Sequence, residues 1–210
     1  MGRRIVCDLL YFREIVSMSH KEFTKAINKI KQLAFTETED ELYRMAQSDI
    51  HWVDKRQQKY PSFKISIGNI YQIEFGKNYK PEMSYEHRGL VIGVTEKLIR
   101  VLPIYTYNEQ KNVSEDIENY KKPLYLLKSC DYDFLKHDSV LKLNEVKIVS
   151  IKRILYFQGC IDKNSNLFKS ICYRAFRYTF PEYSYALEQA NQKIKKLEEK
   201  LKNETKKPTK

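Results

Sequence analysis

Short runs of alternating apolar and polar residues constrain the fold of this chain more than any other feature. The segment Ile65–Phe75 alternates in this way, as a half-buried β-strand does. Further strand-like runs follow at residues 90–94, 99–104, 124–128, 139–143 and 146–150. Several short strands joined by turns are typical of a small barrel or sandwich. We therefore predict a β-structure over residues 61–162, with a polar surface loop at residues 107–123.

The residues before this region repeat at helical spacing instead. Phe23, Ile27 and Ile30 recur three and four residues apart with lysines between them, which predicts an amphipathic helix. The segment Thr36–Glu39 offers an N-cap with acidic residues in the first turn, so a second helix is predicted to run from there toward Gln58. We expect residues 1–60 to form a helical N-terminal extension.

The last part of the chain, residues 163–210, also has helical spacing and ends in a basic tail. Helical periodicity begins near Leu167, and Pro181 suits the first turn of a further helix. Along that helix apolar residues alternate three and four apart, as in a coiled-coil seam. This seam predicts either a contact between subunits or packing against the chain's own β-structure. Its residues are Tyr183, Leu187, Ala190, Ile194, Leu197 and Leu201.

Composition excludes several classes of protein. No segment approaches the roughly 18 consecutive apolar residues of a membrane span, and the apolar start is broken by Asp8 and Arg13, unlike a signal peptide. We expect a cytoplasmic protein without membrane contact. The four cysteines and four histidines lack the paired spacing of metal ligands, so we expect no metal and no other cofactor.

The charge of the chain favours a polyanionic partner. Its formal net charge is +11, and such an excess attracts nucleic acid and speeds encounter with it. The 16 tyrosines and 10 phenylalanines add rings on which bases could stack. The alternative is that these rings are ordinary core residues and that the lysines are solvated surface charge.

Three segments of the middle region follow one another in a family-specific order. The first, Gly68–Ile92, holds an opening strand, a loop with Glu82, and Arg88 at the start of a second strand. The second is the apolar run Val101–Thr106, and the third is Asp138–Ile154. Together they resemble the MazF/PemK family of toxin ribonucleases over about residues 65–160. The resemblance implies an α+β protein with a small SH3-like β-barrel and helical extensions at both ends.

The resemblance also implies a chemistry. Ribonucleases of this type use the RNA 2′-hydroxyl to attack the adjacent phosphate without a metal ion. Arg88 would be the cation that binds phosphate, and Thr106 would donate a hydrogen bond to phosphate. The candidates for the acid or base are Glu82, Glu86 and His87, which share one loop. Single-stranded RNA is the implied substrate, because its bases can splay out. The RNA-contacting residues would be Lys77, Tyr79, Lys80 and Tyr105.

Two positions depart from the family pattern. Gly89 stands where the family usually has proline, and Tyr105 stands where it usually has threonine, with Thr106 one residue later. Because side chains alternate between the faces of a strand, this shift would turn Thr106 to the other face unless a bulge intervenes.

The resemblance implies a homodimer that a separate antitoxin protein neutralises. Two other functions remain open on the same barrel. One is a non-catalytic SH3-like module that binds nucleic acid or protein, which the departures at Gly89 and Tyr105 favour. The other is inhibition of gyrase, which predicts broken DNA and intact RNA in cells that express the chain.

Overall fold

The computed structural model of the protein describes residues 19–108 and 122–205, with side-chain burial as far as Lys202. Most of the predicted loop at residues 107–123 therefore lies outside the described residues. The chain forms two compact units, Met1–Gln47 and Ser48–Lys210. The three-part division at residues 60 and 162 remains a prediction. Among the described residues, none of the helices is both long and apolar enough to cross a membrane.

The described residues form four α-helices, and the sequence signals at their starts explain where three of them begin. Thr38 Oγ1 accepts a hydrogen bond from the Glu41 amide at the start of α2, and Ser165 Oγ accepts one from the Phe168 amide at the start of α3. Proline opens α4, where its missing N–H costs no hydrogen bond. The helices are α1 (residues 19–34), α2 (Glu39–Gln57), α3 (Asn166–Thr179) and α4 (Pro181–Thr205).

Within residues 19–108 and 122–205, seven strands form one antiparallel sheet, so the α+β class is confirmed. The strands are paired in the order β4-β5-β3-β2-β1-β7, and β6 pairs with β3 outside this order. Their bounds are β1 (Asn69–Glu74), β2 (Glu86–Thr95), β3 (Leu98–Thr106), β4 (Leu124–Leu127), β5 (Ser139–Lys142), β6 (Lys147–Ser150) and β7 (Ile154–Cys160).

The first strand is shorter than its alternating pattern predicted. It begins at Asn69 rather than at Ile65, because Gly68 has a φ of +92° and the Asn69 amide donates to the Ser66 carbonyl in a turn. A Cβ at position 68 would lie 2.3 Å from the Ile161 carbonyl oxygen, so this turn requires glycine. Residues 65–67 therefore alternate between apolar and polar types, as a strand does, but are not part of a strand.

The sheet is not closed into the barrel that the sequence predicted. In the described part of the chain, the terminal strands β4 and β7 pair only with β5 and β1, respectively. The first half of β3 pairs with β6 and its second half with β5, so β5 and β6 succeed each other along one long strand. The pairing therefore stops before the two ends of the sheet meet.

Alternating residues of the central strands belong to two separate hydrophobic cores. One core contains Leu90, Leu102 and Leu141 and receives Ile171 of α3; the other contains Val91 and Val101 with their buried neighbours. Fully burying an aliphatic side chain of this size stabilises a fold by roughly 1.5–3 kcal/mol. Buried side chains therefore pack on both faces of the central strands. The site described below lies at the margin of this packed region.

Gly89 of β2 departs from the family pattern for a packing reason. It lies opposite Tyr71 and Pro103, on the face of the second core. A Cβ at this position would lie 2.9 Å from Cδ1 of Ile73, a side chain that is fully buried and has no room to move aside. The close approach of β1 to β2 therefore accounts for glycine here.

We expect Gly89→Ala to lower the free energy of unfolding by about 1–3 kcal/mol through overpacking. Ile73→Val removes the methyl group that the new Cβ would meet, so the same substitution should cost less in that background. Urea denaturation of the four proteins of this double-mutant cycle measures the coupling. An identical cost in both backgrounds would show that the Ile73 contact is not the cause.

Candidate active site

Arg88 is held at the start of β2 by a buried hydroxyl. The residue lies opposite Gln72 of β1 and Ile104 of β3, and its side chain is half-buried. Its Nη2 donates to Ser139 Oγ over 3.2 Å, and Ser139 in turn donates to the His137 carbonyl at 3.0 Å. Because Ser139 is fully buried, this chain of bonds fixes the guanidinium in one orientation.

Thr106 shares the face of Arg88. It lies opposite Ser139 in the pairing of β3 with β5, two residues beyond the Ile104 that faces Arg88. Thr106 is exposed. Burial lowers the pKa of Arg88 from its ordinary value because desolvation disfavours the charged form. Arginine nevertheless stays protonated in proteins, so a partly desolvated cation lies here and favours an anion.

His87 and Tyr105 lie on the opposite face of the sheet. They oppose each other across β2 and β3, with ring centroids 6.2 Å apart. Tyr105 Oη donates to Glu145 Oε2 at 2.7 Å, and Lys142 Nζ lies 4.1 Å from the centre of the tyrosine ring. Burial and, second, this bond to Glu145 raise the pKa of Tyr105 far above its ordinary value. Tyr105 is therefore a neutral hydrogen-bond donor within a polar network.

Glu82 belongs to a loop that is fastened to the same network. Its carboxylate forms an ion pair with Lys147 of β6. The next residue, Met83, donates its amide to Glu145 Oε1 at 2.6 Å. The loop is thus tied to the side of the sheet on which Tyr105 lies.

The structure therefore divides the four predicted catalytic residues into two groups. Arg88 and Thr106 share one face, whereas His87 lies on the other and the Glu82 carboxylate is paired with Lys147. Because β1 and β3 flank β2 on both sides, the strand separates adjacent residues 87 and 88.

Two further residues accompany Arg88 on its own face. Ser139 is one, and Glu86 is the other, since it lies two residues before Arg88 in the same strand and is half-buried. Ser139 belongs to the third segment that resembles the family, and Glu86 has the spacing i, i+2 from the arginine. Glu86 was among the candidate acids or bases predicted from the sequence, whereas Ser139 was not part of the predicted site.

The predicted RNA-contacting residues differ in how available they are. Tyr79 is 88% exposed and Lys80 is also exposed. Lys77 Nζ forms an ion pair with Asp49 at 2.7 Å, and Tyr105 is bound to Glu145. A role in RNA binding remains a prediction for all four.

Among the described residues, no three histidine, cysteine, aspartate or glutamate side chains converge as metal ligands. No protein-family model and no curated protein matches the chain.

Proposed function

We propose that the protein is a metal-independent endoribonuclease that cleaves single-stranded RNA and acts as the toxin of a toxin–antitoxin pair. The observation that carries the proposal is the half-buried Arg88, which donates to the buried Ser139 and shares its face of the sheet with the exposed Thr106. A guanidinium presents a planar fork of donors that matches two phosphate oxygens. The net charge of +11 would draw the polyanion toward it.

The proposal includes a MazF/PemK-type fold in which the SH3-like barrel is left partly open. Support comes from β3, which changes partner from β6 to β5 along its length. A long strand shared in this way bends a sheet toward a barrel. The order and spacing of the three family-like segments in the sequence support the same assignment.

In the proposed reaction, the RNA 2′-oxygen attacks the adjacent phosphorus while its proton passes to a base. Glu86 is our candidate for that base, since it lies on the face of Arg88. The bond from phosphorus to the 5′-oxygen breaks, and that oxygen takes up a proton. Exposed His137, whose main-chain carbonyl accepts the bond from Ser139, is our candidate acid. The products are a 2′,3′-cyclic phosphate and a 5′-hydroxyl end.

Arg88 and Thr106 would stabilise the charge that builds up on the phosphate oxygens. Preorganised donors of this kind act where the charge develops and need no reorganisation during the reaction. Incubation of the purified protein with single-stranded RNA in EDTA tests the proposal. Cleavage that leaves cyclic phosphate ends supports it, and intact RNA with the protein bound would overturn it.

One observation favours a non-catalytic binding module as the second candidate. The imidazole of His87 is separated from Arg88 by the strand that carries both, so the histidine expected beside this cation lies on the other face of the sheet. A module of this kind would retain RNA without cutting it. The assay in EDTA distinguishes the two, because retention and cleavage are read from the same gel.

We propose that the active form is a homodimer and that α4 joins its subunits. The apolar seam of α4 is exposed in the single chain at Leu187, Ile194, Leu197 and Leu201. A seam of this spacing is the pattern by which helices pair in coiled coils. A separate antitoxin protein is the partner proposed for the toxin.

Truncation of the chain after Pro181 removes this seam, and we expect it to halve the mass measured by light scattering. If the truncated protein still has the mass of a dimer, α4 does not join the subunits. Circular dichroism of the truncated protein checks that the sheet is retained.

A further inference from the structure

A cavity whose lining does not include Arg88 lies within the unit Ser48–Lys210. Its volume is about 650 Å³, within the range of roughly 300–1,000 Å³ that is usual for ligand sites. The second half of α2, the end of β1 and the segment between β6 and β7 supply its walls. We propose that this cavity binds a phosphorylated nucleotide, with its cations on the phosphate and the ring of Trp52 on the base.

The charge of the cavity fits the phosphate part of such a ligand. Five cationic side chains line it against two carboxylates, those of Asp49 and Glu74. Both carboxylates already have partners, since Asp49 pairs with Lys77 at 2.7 Å and Glu74 accepts bonds from its own neighbours. The remaining positive charge favours an anionic ligand. The five cations are Lys55, Arg56, Lys77, Lys152 and Arg153.

A buried carboxylate orients the one imidazole of the cavity wall. Glu74 is only 6% exposed, and its Oε1 accepts bonds from Ser48 Oγ at 3.0 Å and from the Gly76 amide at 2.8 Å. Its Oε2 lies 3.3 Å from Nδ1 of His51. With Nδ1 engaged in this way, Nε2 is the ring nitrogen left to contact a ligand.

Trp52 supplies a surface for a base. The ring lines the cavity and is 58% exposed, although large aromatic side chains are usually buried. The Arg56 guanidinium lies 4.9 Å from the ring centroid, which leaves the rest of the indole surface open. Stacking on an aromatic ring tolerates every base, because each base has a flat π-face. The combination of cations and one exposed indole favours a nucleotide over a simple inorganic anion.

The inference does not depend on the proposed ribonuclease activity, because neither Arg88, Thr106 nor Ser139 lines the cavity. A free mononucleotide and the phosphorylated end of an RNA strand share the chemistry that the cavity recognises. The experiment therefore uses both as probes.

Trp52 is the sole tryptophan of the chain, so fluorescence excited selectively from tryptophan, and not from the 16 tyrosines, reports on this cavity. We expect adenosine 5′-monophosphate to quench this fluorescence with saturation, and adenosine without phosphate to bind at least about tenfold more weakly, since a charge-assisted bond is lost. A 5′-phosphorylated oligoribonucleotide, compared with its 5′-hydroxyl form, tests the RNA end. Saturable quenching by either phosphorylated probe identifies the source, and saturation by neither at millimolar concentration overturns the inference.

A double substitution, Lys55→Ala with Lys152→Ala, tests the position of the site while leaving the fluorescent reporter in place. We expect it to weaken binding of the phosphorylated probe by at least about tenfold. The control is Lys169→Ala with Lys193→Ala, which removes the same charge from exposed residues of α3 and α4 that do not line the cavity. Equal weakening in both proteins would show only the effect of net charge and would overturn the site. Thermal melts verify that both variants are folded.

Discussion

Replacement of Arg88 by alanine is expected to slow RNA cleavage by about a hundredfold to a thousandfold, the usual effect of removing one preorganised donor from a developing oxyanion. The side chain is fixed by Ser139 Oγ before any RNA binds, so little ordering is needed during the reaction. Arg88→Lys should restore only part of the rate. A lysine keeps the charge but lacks the planar fork that binds two phosphate oxygens together.

The matched control for this substitution is Arg100→Ala. Arg100 is an exposed arginine of the same sheet, and its Nη1 donates to Thr95 Oγ1 at 3.1 Å. Its removal changes the net charge equally, so a loss of long-range attraction alone would affect both variants alike. The assay follows a 5′-labelled single-stranded RNA in EDTA and identifies the product ends. Similar rates for Arg88→Ala and the unsubstituted protein would remove Arg88 from the reaction.

Substitution of a half-buried arginine also tests the fold, and the two effects have to be separated. Arg88→Ala leaves Ser139 Oγ without its donor, although Ser139 keeps its own bond to the His137 carbonyl. We therefore expect the variant to remain folded at 25 °C. A slow but folded variant assigns the loss to catalysis, whereas a variant that has lost its cooperative thermal transition says nothing of the chemistry.

The secondary structure could be predicted from the sequence where it depends on local periodicity. The alternating runs of residues 99–104 and 139–143 became β3 and β5, and the capping signal before Glu39 marks the start of α2. The run at residues 65–67 shows the limit of this reasoning. It alternates as a strand does, yet the left-handed conformation of Gly68 takes it out of the sheet.

His87 and Arg88 were predicted to lie together because the start of the second strand was misplaced. The second strand was predicted to begin at Leu90, with His87 and Arg88 before it. The strand begins at Glu86, so both residues belong to it, and strand alternation sends their side chains to opposite faces. With Arg88 predicted at the junction of loop and strand, His87 fell in the loop, where alternation does not apply.

Local sequence patterns could not predict the cavity beside α2. His51 lies 23 residues before Glu74 in the chain, and Ser48 lies 26 residues before it. Neither spacing carries a signal, because the contact depends on how the end of α2 packs against β1. The sequence predicted the helix and the strand but not the hydrogen bonds that join them.

Glu74→Ala is expected to destabilise the unit Ser48–Lys210 by about 2–4 kcal/mol. The carboxylate is buried and accepts bonds from the Ser48 hydroxyl and the Gly76 amide, while its second oxygen faces His51. Removing this acceptor leaves the buried Ser48 hydroxyl without it, which costs roughly 1–3 kcal/mol, and the loss of the bonds from half-buried Gly76 and His51 adds to this cost. Glu74→Gln keeps one amide oxygen as an acceptor and should cost less.

Urea denaturation of Glu74→Ala, with Glu198→Ala as control, measures this difference. Glu198 is an exposed residue of α4, and its removal should change stability by no more than about 0.5 kcal/mol. Burying a carboxylate itself costs free energy, and this cost is relieved in the variant. If the two variants are equally stable, that relief offsets the lost hydrogen bonds, and Glu74 orients His51 without stabilising the fold. A loss in the expected range would instead mean that Glu74, through its bonds to Ser48 and His51, both joins α2 to β1 and fixes the imidazole in the cavity.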